Sequence, residues 1–326
     1  MVQQLKLMTV QVEQLTPSIK KFVFASADDS ALPGWEAGAH LIFELPNGLH
    51  NSYSLSNNPA ERGRYVTAVL REPKGHGGSA YMHDSVKAGD ILTVTGPQNN
   101  FPLSKTAKKH LLIAGGIGIT PLLAMGHRLR QNQDDYHLHY CTKAAQDTAF
   151  LDEVKDVFAG RVTFHHDGGD PSKGIKLNEV LKTQEPGTHL YICGPAGLLN
   201  AAREASKHWA EGTVHFELFS SQRTAEQIAQ AQAVAANDGS FQVELAKTGL
   251  TLTIPPNRSI LQVLWDNNVE VLYACEEGWC GNCKVKYLAG NVEHRDEYLS
   301  ESERKDHLQV CISRAAPGET KLVLDL

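Results

Sequence analysis

The first third of the chain alternates short apolar and polar runs. Residues 8–12, Met-Thr-Val-Gln-Val, have the two-residue period of a half-buried strand. Turn signals such as Pro46-Asn47-Gly48 and Ala88-Gly89-Asp90 separate the later runs. Many short strands at this spacing are typical of an antiparallel β-barrel. Four more strands are predicted at residues 21–24, 40–45, 65–70 and 91–94.

From about residue 105 the pattern changes to alternating strands and helices. This alternation predicts a parallel, doubly wound sheet, in which ligands bind beyond the carboxyl ends of the strands. The predicted strands are residues 109–114, 136–141, 162–166 and 189–193, and the predicted helices are 122–130, 150–158, 177–183 and 197–209.

The last third begins after an Ala- and Gln-rich stretch, residues 223–238, which we interpret as a linker. A hairpin is predicted from Phe241 onwards. Ser259 is expected to cap a helix that runs to Asn267, and strands follow at 284–287 and 321–324. The pattern therefore divides the chain into domains at 1–104, 105–222 and 239–326.

The composition excludes several classes of protein. The chain has 326 residues, 41% of them hydrophobic and 21% charged, as in globular proteins. Its formal net charge of −6 disfavours binding to nucleic acid or to an anionic membrane. We find no secretory signal, and the longest nearly apolar run, 111–126, is too short to span a bilayer. With only six cysteines, unevenly spread, a reducing, cytoplasmic setting is predicted.

Four of the six cysteines carry the strongest chemical signal. Cys275, Cys280 and Cys283 have the spacing C-x4-C-x2-C, and Cys311 follows at a distance, which is the plant-type [2Fe–2S] pattern. Structural zinc usually takes two C-x2–4-C pairs, and only one occurs here. The pattern thus favours an iron–sulfur cluster over zinc or plain buried thiols. Cys141, in a predicted strand, is expected to be an inert core thiol.

Two glycine-rich stretches are candidate phosphate sites. Residues 115–121, Gly-Gly-Ile-Gly-Ile-Thr-Pro, lie between a predicted strand and helix, the context of a nucleotide site, although the spacing is not G-x-G-x-x-G. Gly77-Gly78-Ser79 precedes a predicted helix, where backbone amides can bind an anion. A plain turn and helix cap explains the second stretch more simply.

Two adjacent histidines, His165 and His166, are a candidate metal site. His165 and His166 lie on one predicted strand, so their side chains point to opposite faces and cannot easily share an ion. A structural role is therefore favoured for both.

Taken in order, the motifs resemble the phthalate dioxygenase reductase family, which includes the reductases of vanillate demethylase and carnitine monooxygenase. The resemblance covers essentially the whole chain. The motifs that carry it are Tyr53-Ser54-Leu55, Gly77-Gly78-Ser79, residues 115–121, Cys193-Gly194-Pro195, Phe216-Glu217-Leu218-Phe219 and the four cysteines.

This resemblance implies an antiparallel β-barrel that binds FMN, an α/β domain that binds NAD and a plant-type ferredoxin of α+β, β-grasp fold. It implies catalytic roles for Ser54, Thr120 and Cys193. The implied FMN contacts are Tyr53, Ser54, Gly77, Gly78, Ser79, Thr120 and Phe219. The implied NAD contacts are Gly115, Gly116, Gly118, Cys193, Gly194 and Pro195. The implied ligands of the cluster are Cys275, Cys280, Cys283 and Cys311.

One position departs from the family pattern. Many relatives carry Arg two residues before the Tyr, where this chain has Asn51. That Arg contributes positive charge near the flavin phosphate, so the phosphate must be held differently here. Arg71 is the candidate replacement.

The resemblance implies that NADH reduces the flavin and that electrons then pass singly through the cluster to an oxygenase. A 2′-phosphate on the dinucleotide would call for an Arg cluster, but the expected position offers only Lys143, with Asp167 and Asp170 after the next strand, so NADH is predicted over NADPH. A Rieske-type oxygenase is the expected partner. A di-iron or haem oxygenase, or a non-enzymatic redox sensor, remains open.

The acidic pair Glu276 and Glu277 and the neighbouring Trp279 surround the predicted ligands on a loop that should lie near the surface. We expect these residues to contact the protein partner.

Overall fold

The computed structural model of the chain describes residues 3–73, 77–219 and 239–326. It divides into two compact units, residues 1–219 and 220–326, each with a hydrophobic core of its own. The predicted linker at 223–238 lies outside the described residues.

The first unit begins with a six-stranded antiparallel sheet in the order β4-β3-β6-β1-β2-β5. Its two edge strands meet where Leu55 pairs with Thr67 and the Ser56 amide donates to the Val66 carbonyl at 2.8 Å. These contacts bend the sheet into the predicted barrel, and helix α1, Gly78–Asp84, packs against β4 and β5. The strands are β1 Gln4–Thr16, β2 Ile19–Ser26, β3 Ala39–Leu45, β4 Leu49–Ser54, β5 Tyr65–Leu70 and β6 Ile91–Asn99.

Aromatic side chains fill the interior of this barrel. Phe22, Phe24 and Phe43 are fully buried, and the rings of Phe24 and Phe43 lie 5.3 Å apart at a tilt of 49°. Each large aromatic ring removes much apolar surface from water, so these strands hold together mainly through hydrophobic burial.

The second sheet of this unit has five parallel strands in the order β11-β10-β7-β8-β9. From β7 the chain adds β8 and then β9 on one side, and it then crosses to the other side of β7 to add β10 and β11. The strand order therefore reverses between β7 and β10. Such a switch point leaves a crevice at the carboxyl ends of the two strands. The strands are β7 Lys109–Gly115, β8 Asp135–Thr142, β9 Val162–His166, β10 Thr188–Cys193 and β11 Val214–Glu217.

Helices α2 to α5 connect these parallel strands as predicted, with shifted ends. Helix α2 begins at Ile119, three residues earlier than predicted, because Pro121 lies in the first turn, where a missing amide breaks no helical hydrogen bond. None of the helices in the described ranges has the length and apolar character needed to cross a bilayer. The helices are α2 Ile119–Asn132, α3 Leu151–Val157, α4 Leu177–Val180 and α5 Ala196–Ala205.

The second unit is a small mixed sheet in the order β13-β12-β18-β14-β16, in which only the β12–β18 pair is parallel. Helix α6, Ile260–Asp266, packs on this sheet and begins at a capping box. Ser259 Oγ accepts the Gln262 amide and Gln262 Oε1 accepts the Ser259 amide, which confirms the predicted cap. The strands are β12 Phe241–Leu245, β13 Thr251–Ile254, β14 Lys284–Ala289, β15 Val292–Glu293, β16 His307–Gln309, β17 Arg314–Ala315 and β18 Lys321–Leu324.

Candidate functional site

Two turns lie in close contact at the switch point between β7 and β10. A Cβ atom at Gly118 would lie 2.1 Å from the carbonyl oxygen of Cys193, and one at Gly194 would lie 2.9 Å from Cα of Gly115. A Cβ at Gly115 would lie 2.6 Å from Cδ of Pro195. Because distances this short exclude any side chain, these glycines let the turn after β7 pack against the turn after β10.

Gly116 is the open position of this turn. Its φ is 52°, and no atom lies within 4 Å of the place that a Cβ would take. Its backbone is therefore accessible to a ligand at the switch point. Thr120, in contrast, is buried, and its Oγ1 donates to the Ile117 carbonyl at 3.1 Å within the first turn of α2.

The barrel meets the α/β sheet through a polar contact beside these turns. Ser54, the last residue of β4, is buried and its Oγ donates to Oε2 of Glu217 at 3.2 Å. Glu217 is the last residue of β11 and pairs in register with Cys193 at the end of β10. The fold thus places two predicted site residues next to Glu217: Ser54 through a hydrogen bond and Cys193 as its neighbour on the adjacent strand.

Glu217 is the candidate that the sequence analysis left without a role. Burial raises the pKa of its carboxyl group to about 8, an effect that the hydrogen bond from Ser54 opposes. The carboxyl group is therefore mostly protonated at neutral pH. A glutamate inside the apolar stretch Phe216-Glu217-Leu218-Phe219 is the signal that could have identified it, because a carboxylate is seldom buried without a function or a partner.

Cys193 is a neutral thiol in this setting. Burial, and secondarily the charge of Glu217, raise its pKa well above the ordinary value. Since only the thiolate is a strong nucleophile, Cys193 can shape the site but is not suited to attack a substrate.

Tyr53 presents a buried hydroxyl group that lacks a partner. Its ring lies 5.5 Å from the ring of Phe43, and no described residue makes a hydrogen bond with its hydroxyl. Burial raises the pKa of this phenol, which keeps it protonated. Buried polar groups in proteins are nearly always hydrogen-bonded, so this one fits a bound group such as the predicted flavin. Phe219 is partly buried against the hydrophobic core of the first unit.

The start of α1 combines a left-handed glycine with a close amide contact. Gly77 has φ 99°, and the nearest atom to a Cβ there would be 4.0 Å away. A Cβ at Gly78 would lie 1.9 Å from Oδ1 of Asn51, so the residue that replaces the family's Arg packs directly on this turn. Ser79 Oγ accepts the Glu72 amide at 3.0 Å. These residues form a backbone turn that is open beside Gly77 and carries a neutral amide in place of a guanidinium group.

Arg71, the candidate ligand of the flavin phosphate, is engaged in an ion pair instead. Its Nη2 donates to Oδ2 of Asp84, at the far end of α1, at 2.6 Å. This exposed ion pair raises the pKa of Arg71 and lowers that of Asp84 through their hydrogen bond. Any role of Arg71 toward a phosphate would require it to leave Asp84.

In the second unit the four predicted ligands lie together as two pairs. The thiols of Cys275 and Cys280 are hydrogen-bonded to one another, and so are those of Cys283 and Cys311. The hydrogen bond from Cys275 lowers the pKa of Cys280, and the hydrogen bond with Cys283 raises the pKa of Cys311. None of these cysteines is in a disulfide.

This pairing fits a two-iron cluster better than a single ion. Structural zinc needs four ligands around one ion. A [2Fe–2S] cluster takes two protein ligands on each iron, so two thiol pairs match it.

The cysteine loop is shaped by glycines and by one buried amide. Gly278 and Gly281 have φ of 80° and 78°, and a Cβ at Gly281 would lie 2.6 Å from the ring of Tyr298. Gln309 is fully buried; its Nε2 donates to the Gly278 carbonyl at 3.4 Å and its Oε1 accepts from Cys283 Sγ at 3.5 Å. Gln309 therefore ties the loop to the ligands, a contact that the sequence analysis did not anticipate.

The chain is similar to known proteins over most of its length. Residues 243–316 match the model of the 2Fe-2S iron-sulfur cluster binding domain, and residues 97–210 match that of the N-terminal domain of dimethylamine monooxygenase subunit DmmA-like proteins. The reductase subunit of tert-butanol monooxygenase / tert-amyl alcohol desaturase from Aquincola tertiaricarbonis is 44% identical, with 98% of this chain and 96% of the relative covered.

The solved structure of phthalate dioxygenase reductase, described as modular for electron transfer from pyridine nucleotides to [2Fe–2S], is 41% identical, with a TM-score of 0.72 and coverage of 99% of this chain and 98% of that one. This chain belongs to the phthalate dioxygenase reductase family. A type IV self-sufficient cytochrome P450 monooxygenase also matches, at 33% identity and TM-score 0.86, and this chain spans 41% of its length.

Membership of the phthalate dioxygenase reductase family confirms several predictions. The fold is a barrel, a doubly wound sheet and a ferredoxin domain, and the cofactors are FMN, NADH and a [2Fe–2S] cluster. The protein is an oxidoreductase that transfers electrons to the oxygenase component of an oxygenase system.

Proposed function

We propose that this member of the phthalate dioxygenase reductase family is the NADH-dependent reductase of a Rieske-type oxygenase. The observation that carries the proposal is the similarity, over 99% of the chain, to phthalate dioxygenase reductase. Stopped-flow mixing of the reduced protein with a purified Rieske oxygenase tests this proposal. The bleaching of the oxygenase reports its reduction. No reduction of Rieske oxygenases from several substrate classes would contradict the proposal.

A haem oxygenase is the second candidate partner. It is favoured by the similarity of this chain to part of a self-sufficient cytochrome P450 monooxygenase. Parallel stopped-flow mixing with a cytochrome P450 distinguishes the two, since the haem spectrum reports its own reduction. Faster reduction of the haem protein would replace the Rieske assignment.

We propose that the switch point holds the dinucleotide, with Gly115, Gly116, Gly118, Gly194 and Pro195 as its contacts. Gly116 has the accessible backbone, while the other glycines keep the two turns close enough to present it. Lys143 follows β8 at the position expected for the adenine ribose. Asp167 and Asp170 lie just after the neighbouring strand β9, where the Gly168 amide donates to the Lys143 carbonyl at 2.9 Å, and their acidic side chains disfavour an additional phosphate there. This arrangement supports NADH over NADPH.

We propose that Tyr53, Ser54 and Phe219 contact the flavin ring and that Gly77, Gly78 and Ser79 hold its phosphate. FMN, when bound, supplies the ability to accept electrons in pairs and to release them one at a time. Tyr53 offers its unpartnered hydroxyl, and Asn51 offers an amide at the turn where relatives place a charge. Thr120, with its hydroxyl tied to Ile117, serves mainly to order the first turn of α2 beside the flavin.

In the second unit, Cys275, Cys280, Cys283 and Cys311 would hold the cluster. A bound [2Fe–2S] cluster supplies one-electron transfer. The Glu277 amide lies 3.4 Å from Cys275 Sγ, and such amides stabilise negative charge on sulfur, so the loop backbone tunes the potential.

Domain limits and location follow from the same interpretation. We propose domains at 1–104, 105–222 and 239–326, since β6 ends at Asn99 and β7 begins at Lys109. A cytoplasmic location is supported by six cysteines that are all free of disulfides.

Glu217 provides a test of the proposed hydride-transfer site. Because its carboxyl group is mostly neutral below pH 8 and accepts a hydrogen bond from Ser54, ionisation above pH 8 should disturb the site. We expect NADH-dependent flavin reduction to slow as pH rises through about 8. Glu217→Gln, which is neutral at every pH and can still accept the hydrogen bond from Ser54, should lose this pH dependence. Stopped-flow flavin bleaching between pH 6 and 9 measures both.

Stability supplies a second measurement on Glu217 that is independent of activity. Its folded-state pKa is raised above the ordinary value, so its contribution is complete below pH 4.5 and is lost as pH rises through about 8. The wild type should therefore lose stability relative to Glu217→Gln between pH 5 and 9. A constant difference in melting temperature across that range would contradict the assignment.

Glu276 is the better probe of the partner surface. Glu277 accepts a hydrogen bond from Trp279 Nε1 at 2.9 Å, so reversing its charge would also disturb the cysteine loop. Glu276→Lys is expected to slow electron transfer to the oxygenase several-fold at low salt, with less effect at high salt, and to leave NADH-to-flavin reduction unchanged. Equal loss of both steps would show that the role of Glu276 is structural.

A further inference from the structure

One face of strand β8 carries a ladder of side chains with metal-binding chemistry. Burial alternates strictly along the strand: Tyr136, Leu138 and Tyr140 are buried in the core beneath it. The intervening residues therefore share the other face, as the two-residue period of a strand requires. They are Asp135, His137, His139 and Cys141.

A histidine of the neighbouring strand joins this ladder. Nδ1 of His139 and Nε2 of His165 on β9 are 2.9 Å apart, with their rings 5.2 Å apart. The ring of His137 lies 4.9 Å from that of His139, and its Nε2 lies 2.9 Å from Oγ1 of Thr163. Three imidazoles from two adjacent strands thus lie in contact on one face of the sheet.

The geometry of the central pair suits a transition metal. Zinc–nitrogen bonds of about 2.0–2.1 Å place two nitrogens on one ion roughly 2.9–3.4 Å apart, for angles between square and tetrahedral. His139 Nδ1 and His165 Nε2 share a hydrogen bond at 2.9 Å, which is within that range. An ion would take the place of the shared proton, with each ring keeping its own proton on its other nitrogen.

The cluster is accessible to solvent. His137, His139 and His165 are all partly exposed. A cavity of about 510 Å³ opens beside His137 and His139 at the amino-terminal ends of the strands, and Lys109, Asp135 and Arg161 also line it. An ion can therefore reach the pair without unfolding the sheet.

We propose that His137, His139 and His165 form a binding site for one divalent transition-metal ion such as Zn²⁺. His139 and His165 provide the preformed pair. His137 completes the site by turning away from Thr163, since no three ligands yet surround one point in the described parts of the chain. Water fills the remaining position around the ion. The site lies at the outward face of β8 and β9, away from the carboxyl-end turns of the proposed dinucleotide site.

Calorimetric titration of Zn²⁺ into the flavin- and cluster-loaded protein tests the proposal. We expect one equivalent to bind, and we expect His139→Gln and His165→Gln each to weaken the affinity at least ten-fold. Zinc K-edge absorption of the one-equivalent complex should show nitrogen and oxygen neighbours without sulfur.

The matched control is His166→Gln. His166 is adjacent to His165 but faces the other side of the sheet, where its Nδ1 lies 2.9 Å from Thr142 Oγ1, so its loss should leave zinc affinity unchanged. A second imidazole pair, His189 and His215, has the same 2.9 Å separation but is more enclosed. Binding that survives His139→Gln and is lost in His215→Gln would overturn the proposal, as would a sulfur shell around zinc. If His139→Gln fails to fold, His137→Gln and His165→Gln decide the question.

Discussion

Cys280→Ser should abolish electron transfer through the second unit while the NADH reaction of the first unit continues. Cys280 is hydrogen-bonded to Cys275, and its loss would leave one iron with a single thiolate. Cluster assembly should fail, because metal ligation and the local fold depend on each other. We expect reduction of cytochrome c, an acceptor served by the cluster, to fall at least 100-fold. Reduction of ferricyanide, which the flavin can serve directly, should stay within two-fold of wild type.

Iron and sulfide analysis provides a measure of the cluster that does not depend on activity. The matched control is Cys141→Ser, which changes a thiol on β8 that lies outside the paired set. That variant should retain a full complement of iron and both activities within about three-fold. Retention of cytochrome c reduction in Cys280→Ser would show that Cys280 is not a ligand of the electron-transferring cluster.

The cluster could be predicted from the sequence because its chemistry is local. Three of the four proposed ligands lie within nine residues, from Cys275 to Cys283, so their spacing is visible without any knowledge of strand order. The switch point was predictable for a similar reason. A buried strand, a glycine turn and a helix follow one another directly there, and only the two ends of the helix differ from the prediction.

Contacts between distant strands could not be predicted in the same way. Ser54 and Glu217 are 163 residues apart, and their hydrogen bond depends on where the barrel's edge strand ends relative to the last parallel strand. His165 and His166 do point to opposite faces, as argued from the strand period. The imidazole partner of His165 is on β8, and only the order and register of β8 and β9 reveal it.

The departure at Asn51 shows a related limit. The family resemblance implied a missing charge and suggested Arg71 as its substitute, but a sequence does not show which partners compete for a side chain. In the structure Arg71 is paired with Asp84, whereas Asn51 itself lies against Gly78. The side chain that replaces the family's Arg therefore occupies the relevant turn, and compensation by a second residue is not needed to place a polar group there.

Gly118→Ala is expected to have the largest effect on the dinucleotide site. The new Cβ would lie 2.1 Å from the Cys193 carbonyl oxygen and 2.8 Å from the Gly194 amide nitrogen, and both are backbone atoms that cannot rotate away. The two turns must separate, which we expect to cost about 1–3 kcal/mol of stability, as overpacking does. Because these turns are the proposed dinucleotide contacts, kcat/KM for NADH should fall at least ten-fold.

Gly197→Ala is the matched control for this substitution. Gly197 lies in the first turn of α5, close to the same switch point, but no atom lies within 4 Å of its would-be Cβ. Alanine there should be neutral or stabilise the unit by about 0.5–1 kcal/mol, since it reduces the freedom of the unfolded chain. Steady-state ferricyanide reduction at varied NADH, together with thermal unfolding, measures both variants. The absorption of the cluster should be unchanged in either variant, because the second unit has a hydrophobic core of its own. If Gly118→Ala loses stability but keeps kcat/KM, the close packing of the two turns serves the fold and the dinucleotide binds elsewhere.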